Sequence, residues 1–395
     1  MKSSILKALA LAGISTPAAF ALSLYDTAPP IGLPESHAVK YSANLSAGYD
    51  DNLNSSKHNR EGGGFVRFGV GASYADYESV TRVAYNAHIG GTLYDNDANG
   101  TNEKLFSDIS LSGSLAHSFT PGSTYSLSAN VSYKPEPDYE NGISAARVQG
   151  DCLNWSISNA YSQAIDARWS WSVNASYSGN VYSEPTYQYD DRQYISTGAS
   201  LSYKYSTLTS YSLSTSYRYD LRRAGLDSEN LYVTLGVNSS ISPVSSISLS
   251  LGTQTKFIDG GSSVYPNVRF GYNRKLTEGL SMSAYASYDN ENVDTYAGGN
   301  SNYLSNATWR AGLTSTYRFS PKVSFNFDVS LINANYEDGT YGLQNSDRMT
   351  WSATAGMSYS FTPSLTGSLR YTYTRQTGTY DYYRNVMSAG LTYSF

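Results

Sequence analysis

The chain has 395 residues, a formal net charge of −5 and one cysteine, Cys152. A net negative charge without basic clusters argues against nucleic acid as a partner, and a single cysteine excludes an intramolecular disulfide framework. Beyond the N-terminal segment, no run of about 18 apolar residues predicts a membrane helix. The mean hydropathy of −0.40 does not exclude a membrane β-barrel, because its strands expose only alternate residues to lipid.

The N-terminal segment has the pattern of a secretory signal peptide. Lys2 and Lys7 supply positive charge, residues 5–14 are largely apolar, and Ala19-Phe20-Ala21 is a small-x-small cleavage site. We therefore predict a signal peptide over residues 1–21. The alternative is an apolar N-terminal helix that stays attached to the mature chain.

Residues 22–40 contain three prolines and no periodicity, which predicts an irregular arm. From Tyr41 onward, apolar residues alternate with small polar ones, and this period of two is typical of β-strands. We predict one barrel domain over residues 41–395, with about 18 strands of lengths suited to crossing a bilayer at a tilt. The predicted strands cover residues 41–49, 66–74, 83–94, 105–119, 125–133, 153–165, 169–182, 195–205, 211–219, 231–241, 247–257, 265–276, 280–288, 307–319, 323–333, 349–361, 365–375 and 385–395.

The connections between the predicted strands alternate in length. The short ones are residues 120–124, 166–167, 242–244, 277–279, 320–322 and 362–364. The longer ones, rich in Asp, Asn and Gly, are residues 95–104, 134–151, 220–230, 289–305 and 336–347. Short periplasmic turns and longer extracellular loops are typical of outer-membrane barrels. A propeller has a similar repeat length, but its four-stranded blades lack this alternation.

Aromatic residues concentrate at the ends of the predicted strands. Phe119, Phe319 and Phe361 each precede a turn that contains proline, and Phe395 ends the last strand. We expect these ends to lie at one rim, with the last strand pairing with residues 41–49 so that no edge is left unpaired in lipid. Candidates for aromatic girdles, where an amphipathic ring sits between lipid and water, are Tyr74, Tyr94, Tyr133, Tyr219 and Tyr288. The predicted fold is all-β: a transmembrane antiparallel up-and-down β-barrel.

The segment Gly48-Tyr49-Asp50-Asp51-Asn52-Leu53, the repeated hairpins and the terminal Tyr393-Ser394-Phe395 resemble the outer-membrane β-barrel porins of Gram-negative bacteria, and the beta-barrel porin 2 family in particular. The resemblance extends over nearly all of the predicted mature chain. It implies an integral outer-membrane protein in contact with lipid and lipopolysaccharide. It also implies that Tyr393 and Phe395 belong to the signal read by the barrel assembly machinery. It implies no catalytic residue, and no cofactor is expected.

The polar face of the predicted strands carries many basic residues: Arg67, Arg82, Lys204, Arg218, Arg269, Lys275, Arg310, Arg348 and Arg370. Acidic residues on that face are few, chiefly Asp108 and Asp328. A barrel of about 18 strands is wide enough for an aqueous lumen, and a basic wall would concentrate anions there and set ion selectivity. The alternative is that the arginines pair with acidic residues of loops folded into the barrel, or only keep the lumen wet.

One loop offers a weak candidate metal site. Asp95, Asp97 and Asn99 match the first half of a calcium-binding loop, but Phe106 stands where the bidentate Glu is expected. A solvated Asn/Asp/Gly loop is the simpler interpretation.

Candidate catalytic residues are scarce. The four histidines are His37, His58, His88 and His117, and only His88 takes the polar face within a strand. No nucleophile and supporting acid stand out beside it. We therefore do not expect an enzyme.

Together these features predict an outer-membrane channel for the passive diffusion of small hydrophilic solutes. The alternative is a surface or envelope-structural barrel whose loops bind a partner, for example an adhesin or a component of polysaccharide export. The identity of the solute is left open by the sequence.

Overall fold

The computed structural model describes residues 39–77, 80–95, 105–134, 152–183, 191–223, 227–258, 260–291, 305–337, 347–378 and 381–395. The predicted signal peptide and nearly all of the predicted arm lie outside the described residues. So do His37, Asp97 and Asn99. Within the described residues, no helix is long and apolar enough to span a membrane.

Within these ranges, a single antiparallel sheet of 18 strands contains every strand, and each strand pairs with its neighbours in the chain. The strands are β1 (Lys40–Asp50), β2 (Gly63–Tyr77), β3 (Thr81–Tyr94), β4 (Leu105–Thr120), β5 (Ser123–Lys134), β6 (Cys152–Ala164), β7 (Trp169–Tyr182), β8 (Arg192–Lys204), β9 (Thr209–Arg222), β10 (Ser228–Ser242), β11 (Ser245–Ile258), β12 (Gly261–Lys275), β13 (Leu280–Glu291), β14 (Ser305–Arg318), β15 (Val323–Glu337), β16 (Asp347–Ser360), β17 (Leu365–Gly378) and β18 (Tyr382–Ser394). The predicted up-and-down barrel is confirmed.

The barrel closes where β1 pairs with β18, in a register that places Leu45 opposite Leu391. At the end of this seam Tyr41 and Phe395 each donate a backbone N–H to the other's carbonyl, both at 2.9 Å. Their rings stack with centroids 5.8 Å apart. Closure satisfies the backbone groups that an open edge would leave unpaired, which is the condition for placing a sheet in hydrocarbon.

The two faces of the barrel differ in polarity because the side chains of a strand alternate in direction. The large apolar side chains point outward and are exposed, for example Leu45 at 56% and Leu235 at 64%. A continuous exposed apolar surface is unfavourable in water and marks contact with lipid or protein. The opposite phase carries Ser, Thr, Asn and most of the charged residues, so the polar side of the sheet faces the interior.

The short connections gather at one rim, which we call the turn rim, and the longer ones at the other, the loop rim. Phe119, Phe319, Phe361 and Phe395 all lie at the turn rim and are exposed, as predicted. Length does not alternate strictly, because the loop-rim connections at residues 259–260 and 379–381 are also short.

The prediction of loops over residues 220–230 and 289–305 is wrong at their ends. β9 continues to Arg222, β10 begins at Ser228 and β13 continues to Glu291. Asp is depleted in strands, but Asp220 stays in β9 because Arg218 Nε lies 2.6 Å from its Oδ1. An inward-facing acid with a basic partner is compatible with strand structure.

Asp166 organises the turn between β6 and β7, because its Oδ1 accepts the N–H groups of Arg168 at 2.6 Å and Trp169 at 2.8 Å. These bonds favour the ionised carboxylate and lower the pKa of Asp166 below its usual range. Their contribution to stability is therefore present above the unfolded pKa of about 3.9 and is lost as pH falls through the folded pKa.

We expect D166N to be less stable than the wild type at pH 7, with a difference that shrinks in acid. Urea midpoints measured from pH 7 to pH 2 check this, and a difference independent of pH would contradict it.

Candidate functional site

The predicted wall residues all lie on the inward phase of their strands. Arg67 pairs with Ser46 and Thr92, whereas its neighbour Phe68 pairs with Leu45 on the outer face. The same alternation turns the others inward: Arg82, Asp108, Lys204, Arg218, Arg269, Lys275, Arg310, Asp328, Arg348 and Arg370. That any of them contacts a solute stays a prediction.

Further charged residues share this inward phase, and the sequence analysis did not single them out as wall residues. They include Asp50, Arg192, Asp220, Arg222, Lys256, Asp289 and Arg384 at the loop-rim ends of their strands, and Arg318 at the turn rim. At the loop rim, polar composition obscures the end of the alternating pattern. Continuing the period of two past the last apolar residue of each strand would have identified them. Basic residues outnumber acidic ones on the inner face of the described strands.

Arginines on the inner face pair with acids of the strands. Arg218 is paired with Asp220 of the same strand. Asp289 on β13 lies between two arginines, at 3.3 Å from Arg310 on β14 and at 3.9 Å from Arg269 on β12. The alternative that loop acids neutralise the arginines is therefore wrong for these pairs, since Asp220 and Asp289 belong to strands.

A connection that we call loop L1, residues 51–62, packs against the inner face of the barrel. Leu53 is 0% exposed and lies in an apolar cluster with the inward-facing Phe65, Tyr94 and Phe106. The assignment of Tyr94 to an aromatic girdle is wrong, because its position on β3 has the inward phase and its ring is buried here. L1 therefore covers part of the lumen wall beside β2, β3 and β4.

Hydrogen bonds fix L1 to the last strand. Asp51 accepts the backbone N–H of Asn385 and its side-chain amide, both at 2.6 Å. Asn52 Nδ2 donates to the carbonyl of Tyr383 at 2.6 Å, and the guanidinium of Arg60 lies 3.3 Å from the centroid of the Tyr383 ring. Residues 48–53, one of the features that carry the family resemblance, thus supply Asp51 and Asn52, whose hydrogen bonds hold L1 in place.

We expect L53A to loosen L1 without unfolding the barrel. Removing a buried Leu side chain costs about 2–5 kcal/mol, and here the loss falls on the cluster that anchors the loop. Trypsin should then cleave L1 faster after Lys57 and Arg60. L93A is the matched control, because Leu93 is an outward, exposed leucine on β3. Equal cleavage rates for the two variants would contradict the anchoring role of Leu53.

Across the barrel, the loop-rim end of β13 leans over the inner face of β12. The pairing of β12 with β13 stops at Val268 and Tyr288. Beyond this point, the side chain of Gln254 on β11 donates to the Asn290 carbonyl at 2.7 Å and accepts the Asn290 N–H at 3.2 Å. Because Gln254 points inward, the Asn290 backbone must lie on the lumen side of β12.

This inward bend buries polar side chains of the lumen wall. Lys256 Nζ donates to Asn290 Oδ1 at 2.9 Å, and Gln254 Nε2 donates to Asn230 Oδ1 at the same distance. Asn267, on β12 itself, is also buried. β3 and β12 are nine strands apart in both directions around the closed sheet. L1 and the bent end of β13 therefore narrow the loop-rim mouth from opposite sides.

The inner face of β5 to β8 is lined with small side chains instead. Hydroxyl pairs bridge neighbouring strands: Ser128 with Ser158 at 2.7 Å, Ser172 with Ser200 at 2.7 Å, and Ser176 with Ser196 at 3.0 Å. A recess of about 440 Å³ lies against β3 to β7 on this side. The lumen is therefore asymmetric, with a small hydroxylated wall on one side and a bulky charged wall on the other.

Of the weaker sequence candidates, Asp95 and His117 have hydrogen-bond partners within the described ranges. Asp95 accepts the backbone N–H of Gly64 at 2.8 Å, and the described residues contain no group of three His, Cys, Asp or Glu suited to a metal. His117 Nδ1 lies 2.8 Å from Thr81 Oγ1. Cys152 is buried and not disulfide-bonded.

No family model matches the chain, and no curated protein matches its sequence. Its structure is similar to that of the outer membrane protein OpdK of Pseudomonas aeruginosa, with a TM-score of 0.50 and 10% identity over 91% of this chain and 98% of that chain. Acinetobacter baumannii OccAB4 gives a TM-score of 0.48 and 9% identity over 92% and 100% of the two chains. The siderophore receptor PirA of P. aeruginosa gives 0.45 and 9% over 91% and 80%. At 10% identity the likeness to OpdK is one of fold, and together with the closed 18-stranded sheet it confirms the predicted porin-like barrel fold.

Proposed function

We propose that the protein is an outer-membrane channel through which small hydrophilic solutes diffuse passively. The observation that carries the proposal is the polarity of the closed sheet, which is apolar on its outer face and polar and charged on its inner face. A soluble barrel or sandwich has the reverse arrangement, with the apolar faces packed inside. An apolar exterior suits lipid, and a polar interior keeps water in the lumen.

The position of the protein in the cell follows from the same arrangement. Closed barrels of this type belong to Gram-negative outer membranes, so the long loops would face outward, against lipopolysaccharide, and the turn rim would face the periplasm. Tyr393 and Phe395, which lie on the outward phase of β18 beside Tyr41, are then accessible to the barrel assembly machinery during insertion.

Planar lipid bilayers test the proposal directly. The full chain, refolded and checked for the mobility shift on heating that folded barrels show, is added at low concentration to one side of the bilayer. Stepwise, voltage-independent increases in conductance are expected. Folded protein that gives no steps would overturn the channel and favour the alternative of a surface barrel whose loops bind a partner.

A further inference from the structure

Two arginines of the basic wall flank a small residue in a single row across three strands. Arg269 on β12 pairs with Ser287 on β13, which pairs in turn with Arg310 on β14. Neighbouring strands are about 4.8 Å apart, so the backbones of the two arginines are roughly 10 Å apart. The short Ser287 side chain leaves room between the two guanidinium groups.

The row carries two arginines at a half-buried place. Asp289, the next inward residue on β13, is the carboxylate shared by the two arginines, and the side chains of Arg310 and Asp289 are only 14% and 18% exposed. The Arg269 side chain is 38% exposed, and its contact with Asp289 is 3.9 Å long. The Arg269 side chain makes no hydrogen bond to any described residue, so its guanidinium donors face the lumen with their hydrogen-bonding capacity unused.

An aromatic ring lies directly below this row, on the side of the turn rim. Tyr285 is the preceding inward residue on β13, and both of its cross-strand partners, Gly271 and Gly312, are glycines. A Cβ atom at position 312 would overlap the Tyr285 ring, so the ring lies across this glycine. The side chain is nevertheless 44% exposed to the lumen.

Hydrogen-bond donors without acceptors also lie next to the row, on the side of the loop rim. Asn267 is the next inward residue after Arg269 on β12 and is buried, and its Nδ2 has no hydrogen-bond partner. The same is true of Asn290 Nδ2, beside the buried Lys256 amine. A buried amide donor without an acceptor is unfavourable, so an acceptor that reached these two amide groups would bind favourably.

We propose that Arg269, Arg310 and Tyr285 form a binding site for a small planar carboxylate in the lumen. The proposal rests on the proposed channel function, since it names the class of solute that the lumen would favour. The Arg269 guanidinium presents the fork that pairs with both oxygens of a carboxylate. The carboxylate compensates the charge of Arg269, whose contact with Asp289 is long, while its planar body stacks on Tyr285. Weak binding, with Kd on the order of 1 mM, lets the solute leave again, as conduction requires.

Binding of nicotinate to the full-length, detergent-solubilised barrel tests the site without requiring conduction. Nicotinamide is the matched neutral probe, and calorimetry or ligand-observed NMR measures both affinities. We expect R269Q to weaken nicotinate binding by about tenfold or more, the loss typical of a hydrogen bond to a charged group. R318Q is the matched control, because Arg318 is an inward arginine on the same strand as Arg310 but lies at the turn rim. Its effect should stay below about twofold.

Y285L should lower the affinity for nicotinate and leave the affinity for acetate unchanged. Equal binding of nicotinate and nicotinamide, or equal losses in R269Q and R318Q, would overturn the carboxylate site. Phosphate binding as tight as nicotinate would overturn the role of Tyr285. A wild-type barrel that conducts KCl but binds no nicotinate would contradict the carboxylate site and leave the channel proposal standing. A barrel that binds nicotinate but never conducts would support the carboxylate site and contradict the channel function.

Discussion

The double variant R269E/R310E is expected to shift the ion preference of the channel from anions toward cations. Both arginines lie on the inner face near the mouth, where the bent end of β13 narrows the lumen. Charges on a narrow, low-dielectric wall act on a passing ion with little screening. The permeability ratio of chloride to potassium should therefore fall by about tenfold or more, which is at least about 1.4 kcal/mol.

Reversal potentials across a KCl gradient measure this change. The matched control is K275E/R318E, which makes the same charge change on the same two strands, β12 and β14, but at the turn rim. We expect the control to shift selectivity less, because the lumen is not narrowed there by L1 or β13. Both shifts should shrink in 1 M salt, where the Debye length is about 3 Å rather than about 10 Å.

Two outcomes would count against the basic wall. An unchanged reversal potential in R269E/R310E, with normal conductance and a normal heating shift, would mean that these side chains do not govern ion passage. Equal shifts in the two double variants would mean that total charge matters and position does not. R269Q/R310Q separates loss of charge from the repulsion that a new glutamate meets beside Asp289, and it should give an intermediate ratio.

The barrel itself could be predicted from the sequence because its signal is local and repeated. Each strand carries the period of two, and closure leaves one arrangement in which no edge is unpaired. The seam is the clearest case. The alternation around Leu391 and the aromatic end at Phe395 predict the partner strand, and Leu45 and Tyr41 lie opposite them.

The mouth of the lumen could not be predicted in the same way, because its contacts join residues far apart in the chain. Leu53 is a single apolar residue in a polar segment, and it is buried only because Phe65, Tyr94 and Phe106 from three different strands meet there. The bend of β13 depends on Gln254, which replaces backbone pairing that β12 does not supply. Composition rules assigned Asp289 to a loop, whereas its arginine partners on the adjacent strands keep it in the wall.

The anchor of L1 also depends on a long-range contact, between Asp50 at the end of β1 and Arg384 on β18. Arg384 donates to Asp50 Oδ2 from Nε at 2.8 Å and also from Nη2. Asp50 Oδ1 accepts the backbone N–H of Asn52 at 3.1 Å. The Asp50 side chain is almost completely buried, so this carboxylate relies on Arg384 for compensation of its charge.

We therefore expect R384M to lower the free energy of unfolding by about 3–5 kcal/mol, because it leaves a buried carboxylate without its cation. D50N/R384M should recover about 2 kcal/mol of this loss, since Asn removes the charge and keeps an acceptor for Asn52. Urea unfolding of the barrel in lipid vesicles measures the free energies of the wild type, R384M and D50N/R384M. K57M is the matched control, because Lys57 pairs with Asp381 on the exposed surface and its loss should cost less than about 1 kcal/mol. A double variant no more stable than R384M would show that the arginine acts by packing and not by compensating Asp50.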